Sequence, residues 1–269
     1  MIPRDAQMVA TWCAERAGFR VDPEKTYLME SRLAPVALRE GFGGVDDLLT
    51  ALVARRDDKL IWGVVEAMSP TEVCFFHERR TLERLAEEVI PKLLSTRSGG
   101  AVRVWNPACG VGQEIYSLAI LLRDLERDKG VQLFASDLSE RRLERAQTGR
   151  YSHFEIQRGL SIQRLVRYFG KTDDAWTIGS NLRNMIRWRR VNPLDDLSAS
   201  GRFDVILCRG LLDQMTPSAR PRLLETLARA LSPDGVLVLG LTESPGPTFQ
   251  PSLDHPGLFA PDPARRIAA

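Results

Sequence analysis

The amino-acid sequence predicts an α/β fold, a doubly wound and mostly parallel sheet preceded by a small all-α domain, and three observations carry that expectation. Through the first quarter of the chain, apolar residues recur every three or four positions, the period of helices that bury one face. Beyond residue 100, short apolar runs at 102–105, 131–136 and 203–208 alternate with amphipathic stretches of helical length, the pattern of strands joined by helical crossovers. Between the two lies a break, in which Pro70 ends one pattern and Ser95 to Gly100 lead into the next.

Taken in order, the helical pattern runs from Asp5 to about Met68, with Tyr27, Leu28, Leu33, Val36 and Leu38 at helical spacing. Gly41, Gly43 and Gly44 interrupt it, and further helices are expected over 46–53 and 57–68. Nothing in this bundle has catalytic spacing. Phe75, Phe76 and the amphipathic stretch 82–94 predict a connecting helix, followed by a flexible joint over 95–100. The α/β pattern then reads strand 102–105, helix 114–127, strand 131–136, helix 139–148, strand 185–191, strand 203–208, helix 217–231 and strand 235–241. The expected division is therefore a helical domain over 1–70, a connecting helix and joint over 71–100, and an α/β domain over 101–245. That domain carries a small insert near 168–185, and a proline-rich tail over 246–269 is expected to be poorly ordered.

Composition narrows the function classes. A chain of 269 residues that is 43% hydrophobic can bury a substantial core. Its 37 basic and 35 acidic residues nearly cancel, which gives no argument for nucleic acid or a membrane surface as partner. Cys13, Cys74, Cys109 and Cys208 are scattered among apolar or small residues without a paired spacing and read as buried free thiols. Apolar runs stay short of the roughly 18 residues that cross a bilayer, and the expected location is the cytoplasm. Among the histidines, His153 and His255 lack companions with ligand spacing, so no metal site is expected.

The chemistry concentrates between Asn106 and Glu114. A strand followed by Gly110 and Gly112 and then a helix describes a turn that lets backbone approach a ligand at the carboxyl end of a parallel sheet. Asp137 ends the next strand and is placed to accept hydrogen bonds from ribose hydroxyls. Its alternative is a local cap, although Ser139 is the better candidate to cap the helix that follows. A dinucleotide would need its pyrophosphate at this helix start, where Glu114 repels phosphate. The same carboxylate favours the cationic sulfonium and ammonium of S-adenosylmethionine, so the sign of the charge selects a methyl donor. Neither a basic stripe nor an aromatic clamp for a flipped base is present to support nucleic-acid methylation.

From about Asp22 to Glu243 the sequence resembles the chemotaxis receptor methyltransferase (CheR) family. The matching stretches include Ser31 to Leu33, Phe75-Phe76, 112–120, 136–139, 149–151, Tyr168-Phe169, 204–209 and 231–240 with Glu243. The resemblance implies a helical domain joined to a Rossmann-like class I methyltransferase sheet, S-adenosylmethionine as cofactor, and methyl transfer to glutamate side chains on chemoreceptor signalling helices. It implies Glu114 near the methionine end of the cofactor, Asp137 on the ribose and Asn192 beside the adenine, with Gly110, Gly112, Arg209 and Gly210 lining the same site. The family's Asn-x-Thr-x-Phe-Phe-Arg reads Thr71-Glu-Val-Cys-Phe-Phe-His77 here, which puts Thr71, Val73 and His77 at lining positions. The family's Cys-Arg-Asn, with a tyrosine four residues later, reads Cys208-Arg-Gly210 with Gln214 in the tyrosine's place.

His77 and Gln214 are thus the candidate catalytic positions, and both are altered. Methyl transfer to a carboxylate that is already ionised at pH 7 needs alignment more than acid or base help, so activity survives the alterations in principle. Two readings follow: a protein-glutamate O-methyltransferase, or a catalytically degenerate regulator that binds cofactor or scaffolds a chemosensory pathway. The resemblance also implies recognition of receptor helices through basic positions of the helical domain, for which Arg32, Arg39, Arg55, Arg56 and Lys59 are the candidates. Residues 170–174 lack the glycine-proline insertion of tether-binding members, so independence from a receptor tether peptide is expected.

Overall fold

The computed structural model describes residues 1–70, 74–97, 100–252 and 255–262. The chain forms two compact units: Met1–Pro70 with Asp213–Arg222, and Thr71–Leu212 with Leu223–Ala269.

The first unit holds α1 (Pro3–Ala17), α2 (Thr26–Arg39), α3 (Val45–Arg55) and α4 (Asp58–Met68). The first predicted helical stretch is thus two helices. Gly18, at φ 72°, donates to the Ala14 carbonyl and ends α1 in the left-handed geometry that glycine adopts without strain. α2 packs on α3 and α4, and α1 on α4, burying Val9, Met29, Leu33, Leu48, Leu52 and Val64. Asp57 caps α4 by accepting from the Leu60 N–H at 3.1 Å. Residues 213–222 belong to this unit through an antiparallel bridge between Phe19 and Met215, flanked by Arg20 N–H to Gln214 O and Thr216 N–H to Gly18 O, each 2.8 Å. Sequence patterning has no means of joining segments so far apart.

In the second unit a helical run begins with α5 (Arg79–Arg84), widens into one π-helical turn over Leu85–Val89, and continues as α6 (Ile90–Thr96). Pro91 explains the wide turn: it has no N–H to give the Glu87 carbonyl, and Arg127 donates to the Glu87 and Ala86 carbonyls instead. Where a flexible joint is expected, α6 continues to Thr96 and Arg97 is clamped by Asp204 (2.6 Å) and Asp234 (2.6 Å).

The sheet follows: β1 (Val102–Asn106), α7 (Gln113–Asp124), β2 (Val131–Asp137), α8 (Glu140–Thr148), β3 (Arg150–Ser152), α9 (His153–Gln157), α10 (Ile162–Tyr168), β4 (Phe169–Thr172), β5 (Ala175–Ile178), α11 (Ser180–Arg183), β6 (Ile186–Arg190), β7 (Phe203–Leu207), α12 (Ala219–Ala230), β8 (Leu231–Val238), β9 (Phe249–Pro251) and β10 (Leu258–Pro261). Seven strands form one sheet in the order β6-β2-β1-β7-β8-β10-β9, parallel from β6 to β8 and antiparallel at β10 and β9. This is the doubly wound, class I methyltransferase-like arrangement: the chain winds outward from β1 through β2 to β6, then returns to β7 beside β1.

Two expectations are corrected. The insert is a three-stranded antiparallel sheet in the order β3-β5-β4, so it begins near Arg150 and not near 168. It is anchored by Tyr151, whose ring meets Phe75 edge-on at 5.0 Å between centroids. The tail, expected to be poorly ordered, supplies β9 and β10 to the sheet, because Phe249 and Leu258 are 4% and 2% exposed and fasten an otherwise proline-rich segment. Pro251 is tolerated because β9 is the edge strand. Of the thiols, Cys13, Cys109 and Cys208 are buried and free, and desolvation pushes Cys13 up to about 12; Cys74 is free but only half-buried.

Candidate functional site

Where a doubly wound sheet reverses its strand order, the loops leaving neighbouring strands diverge and open a crevice at their carboxyl ends. Here that point lies between β1 and β7. Asn106, the last residue of β1, is 1% exposed and spans it: its side-chain N–H groups donate to the Leu207 carbonyl ending β7 (2.7 Å) and to Glu114 Oε2 (2.8 Å). Glu114 stands in the first turn of α7 and is 6% exposed. Its other oxygen accepts from Arg209 Nε at 2.5 Å.

In the sequence Glu114 is a lone acid; in the structure it is one end of a three-member ionic chain. Arg209, which follows β7, is 3% exposed in its side chain and also donates Nη1 to Glu78 Oε2 at 3.1 Å. The second Glu78 oxygen accepts from the Leu241 N–H at 3.1 Å. One guanidinium between two carboxylates leaves one negative charge in excess, a balance that favours a cation although Glu114 itself is paired. Sequence reasoning misses Glu78, since its partners lie 131 and 163 residues away. It misses the role of Asn106 as well, although a signal is available there: a polar residue closes an apolar strand just before the glycine turn.

Asp137 ends β2, next to β1, and is 2% exposed. Its carboxylate takes the Gly110 N–H on Oδ2 and the Ser139 N–H on Oδ1, both at 2.9 Å, with Arg142 3.6 Å away. Burial raises its pKa above the ordinary 3.8, against the lowering pull of Arg142 and the amide donors. Ser139, expected to cap α8, makes no side-chain cap bond; Asp137 already holds this turn through the Ser139 amide. Gly110 therefore serves the site with its N–H. Gly112 serves by being small: at φ 88°, a Cβ there would meet Trp188, Tyr116 and Ala146 at 3.0, 3.1 and 3.2 Å. Asn192 follows β6, the strand paired with β2, and the neighbouring Val191 N–H donates to the Asp137 carbonyl at 3.1 Å. The Asn192 side-chain oxygen accepts from the Leu194 N–H at 3.1 Å.

The structure thus gathers Gly110, Glu114, Asp137 and Arg209 at the ends of β1, β2 and β7. Gly210 joins them through its N–H, which donates at 2.8 Å to Glu243 Oε2, as does the Gly240 N–H, so Glu243 ties the loops after β7 and β8. At φ 74°, a Cβ on Gly210 would meet nothing within 4 Å among the described residues, where the family asparagine would stand. His77 is exposed, lies between Phe76 (φ 54°) and Glu78 (φ 43°), and makes no hydrogen bond or ion pair among the described residues. Gln214 belongs to the first unit; its side chain is exposed and its carbonyl accepts from Arg20. Thr71 and Val73 lie outside the described residues.

Two buried polar atoms of this network have no partner among the described residues: Asn106 Oδ1 and Arg209 Nη2. A buried unpaired donor and acceptor at one site are costly unless a ligand meets them. A guanidinium N–H suits a carboxylate, while an amide oxygen beside a carboxylate suits an ammonium, so together they fit the zwitterionic end of an amino acid. Asp137 retains lone pairs on both oxygens for a vicinal diol. The residues present therefore fit a ligand that joins an amino-acid end to a ribose.

Comparison with known proteins agrees with that chemistry. Residues 71–249 match the family model described as CheR methyltransferase, SAM binding domain. Chemotaxis protein methyltransferase Cher2 of Pseudomonas putida is 31% identical over 247 residues, which cover 89% of this chain and 90% of that protein. Chemotaxis protein methyltransferase 1 of Pseudomonas aeruginosa has the same identity and coverage. The chemotaxis protein methyltransferase of Vibrio parahaemolyticus is 29% identical over 235 residues, 85% of each chain.

Proposed function

Because this chain belongs to the CheR methyltransferase family, and its α/β domain is the family's S-adenosylmethionine-binding domain, we propose that it methylates glutamate side chains of chemoreceptors as a protein-glutamate O-methyltransferase. The observation that carries the reading is the ionic chain Glu78, Arg209 and Glu114, with Arg209 Nη2 and Asn106 Oδ1 unpaired among the described residues, set across the switch point from Asp137.

Bound S-adenosylmethionine supplies an electrophilic methyl group on a sulfonium. When bound, it would give that methyl group to a carboxylate oxygen and leave as a neutral thioether. The protein has no proton to remove, because a glutamate is ionised at neutral pH. Its work is alignment, which spares the entropy of bringing the reactants together. Asn106, Glu114 and Arg209 hold the amino-acid end, Asp137 orients the ribose, and Asn192 sits at the adenine side. His77 offers its imidazole N–H to the incoming carboxylate, weaker than the charged fork of an arginine. At the other positions altered from the family pattern, Gln214 carries an amide in place of a phenol, and Thr71 and Val73 replace the family's asparagine and threonine.

Among the basic positions of the helical unit, Arg32 donates to the Met68 carbonyl and Arg39 pairs with Glu40, whereas Arg55, Arg56 and Lys59 are exposed and unpaired among the described residues. The last three therefore support recognition of an acidic receptor helix. Tether independence is supported by the turn between β4 and β5, which is closed by the Thr172–Ala175 pair and holds only Asp173 and Asp174. Strong binding of a receptor C-terminal pentapeptide in calorimetry would contradict it.

Incubation of the chain with methyl-labelled S-adenosylmethionine and cytoplasmic receptor fragments from the same cell should give base-labile methyl ester on glutamate. Intact cofactor binding with no ester on any receptor would overturn the enzymatic reading in favour of a cofactor-binding regulator, which the exposed His77 and the missing side chain at Gly210 favour.

A further inference from the structure

We propose that Glu78 is a positioning residue that gives the Arg209–Glu114 pair of the cofactor site a surplus negative charge and so favours the sulfonium donor over the neutral thioether product. The proposal rests on the assignment of S-adenosylmethionine to this site. Without Glu78, Arg209 and Glu114 form a neutral pair; with it, the Arg209 guanidinium is shared, Nε to Glu114 and Nη1 to Glu78, and neither carboxylate is fully offset. All three side chains are largely withdrawn from water, at 3% exposure for Arg209, 8% for Glu114 and 18% for Glu78, so the excess charge is weakly screened.

A second observation points to the same residue. Phe76 and Glu78 both adopt left-handed backbone conformations, at φ 54° and 43°, which side-chain-bearing residues keep only where their surroundings hold them. Phe76 is held by its N–H donating to Ser117 Oγ at 2.9 Å. Glu78 is held by its own carboxylate, one oxygen on Arg209 and the other on the Leu241 N–H. The strained turn thus places a charge on Arg209 that a relaxed turn would carry elsewhere. Glu78 itself touches no reacting atom in this assignment; it acts through Arg209.

The methyl donor carries a positive sulfur and the product does not, so the charge of the site is read by comparing the two. The test is calorimetric titration of the full chain with S-adenosylmethionine and with S-adenosylhomocysteine, for the wild type, Glu78→Gln and Glu78→Ala. Glutamine keeps the length and an acceptor for Leu241, and the ratio of the two dissociation constants should shift about fivefold against the sulfonium, as expected for loss of one charge at an intermediate dielectric. Alanine should show the same shift in ratio on top of an equal loss for both ligands. Affinities that fall in equal proportion in both variants, or do not change, overturn the assignment and leave Glu78 a structural contact. A wild type that binds neither ligand overturns the cofactor reading and this assignment with it.

Discussion

Gly112 and Gly210 share a left-handed backbone, at φ 88° and 74°, yet the structure gives them opposite tolerances. A Cβ at 112 collides with Trp188, Tyr116 and Ala146, so Gly112→Ala should lower stability by about 3 kcal/mol from backbone strain and overpacking combined, read as a fall in the thermal midpoint. A Cβ at 210 meets nothing within 4 Å among the described residues, and asparagine is among the residues that accept this conformation, so Gly210→Asn should cost about 1 kcal/mol or less. Asp137 makes the second expectation at this scale. Its raised pKa means that the folded protein takes up a proton at a pH where the unfolded chain does not. Between 3.8 and the raised value, its contribution to stability therefore falls as pH rises, whereas the charged form that the proposed ribose contact needs is lost as pH falls. Affinity for S-adenosylmethionine, measured by calorimetry against pH, should weaken on acidification through that window. Asp137→Asn should bind about tenfold more weakly and lose this pH dependence.

At the scale of elements, two arginines hold backbone that the sequence marks as broken. Arg127 covers carbonyls freed by Pro91 and the π turn, and Arg97 joins the end of α6 to Asp204 of β7 and Asp234 of β8. Asp204 is 6% exposed and also accepts from the Arg103 N–H at 2.8 Å. Arg97→Ala strands that carboxylate; since Arg97 is itself a quarter exposed, the loss should be about 2 kcal/mol, below the full value for a buried pair, measured as a shift in urea midpoint. These clamps explain what is and is not legible. Strands β1, β2 and β7 are visible as apolar runs because each is buried along most of its length, and the helix from Gln113 is visible because glycine precedes it. The small and polar residues of 95–100 suggest a flexible joint, since nothing local announces that Arg97 finds acids more than a hundred positions away. The tail misleads for the same reason: proline content is a local signal, while the burial of Phe249 and Leu258 depends on a neighbouring strand.

For the whole molecule, the parallel sheet and its switch point follow from alternation and short connections, which the sequence displays openly. The site divides along the same line. The placement of Glu114 and Asp137 is legible because each closes or follows a strand beside a glycine turn. The Glu78 to Arg209 to Glu114 chain is not legible, because its members meet only when the loops after β1 and β7 converge with the turn before α5. On the assignment proposed above, this convergence holds S-adenosylmethionine by its amino-acid end and its ribose. The direct measurement is calorimetric titration of S-adenosylmethionine into the wild type beside Glu114→Gln and Asp137→Ala, with thermal midpoints recorded to confirm folding. One site per chain in the wild type, weakened at least about tenfold in each folded variant, is the outcome expected. Unchanged affinity in both folded variants would contradict that assignment.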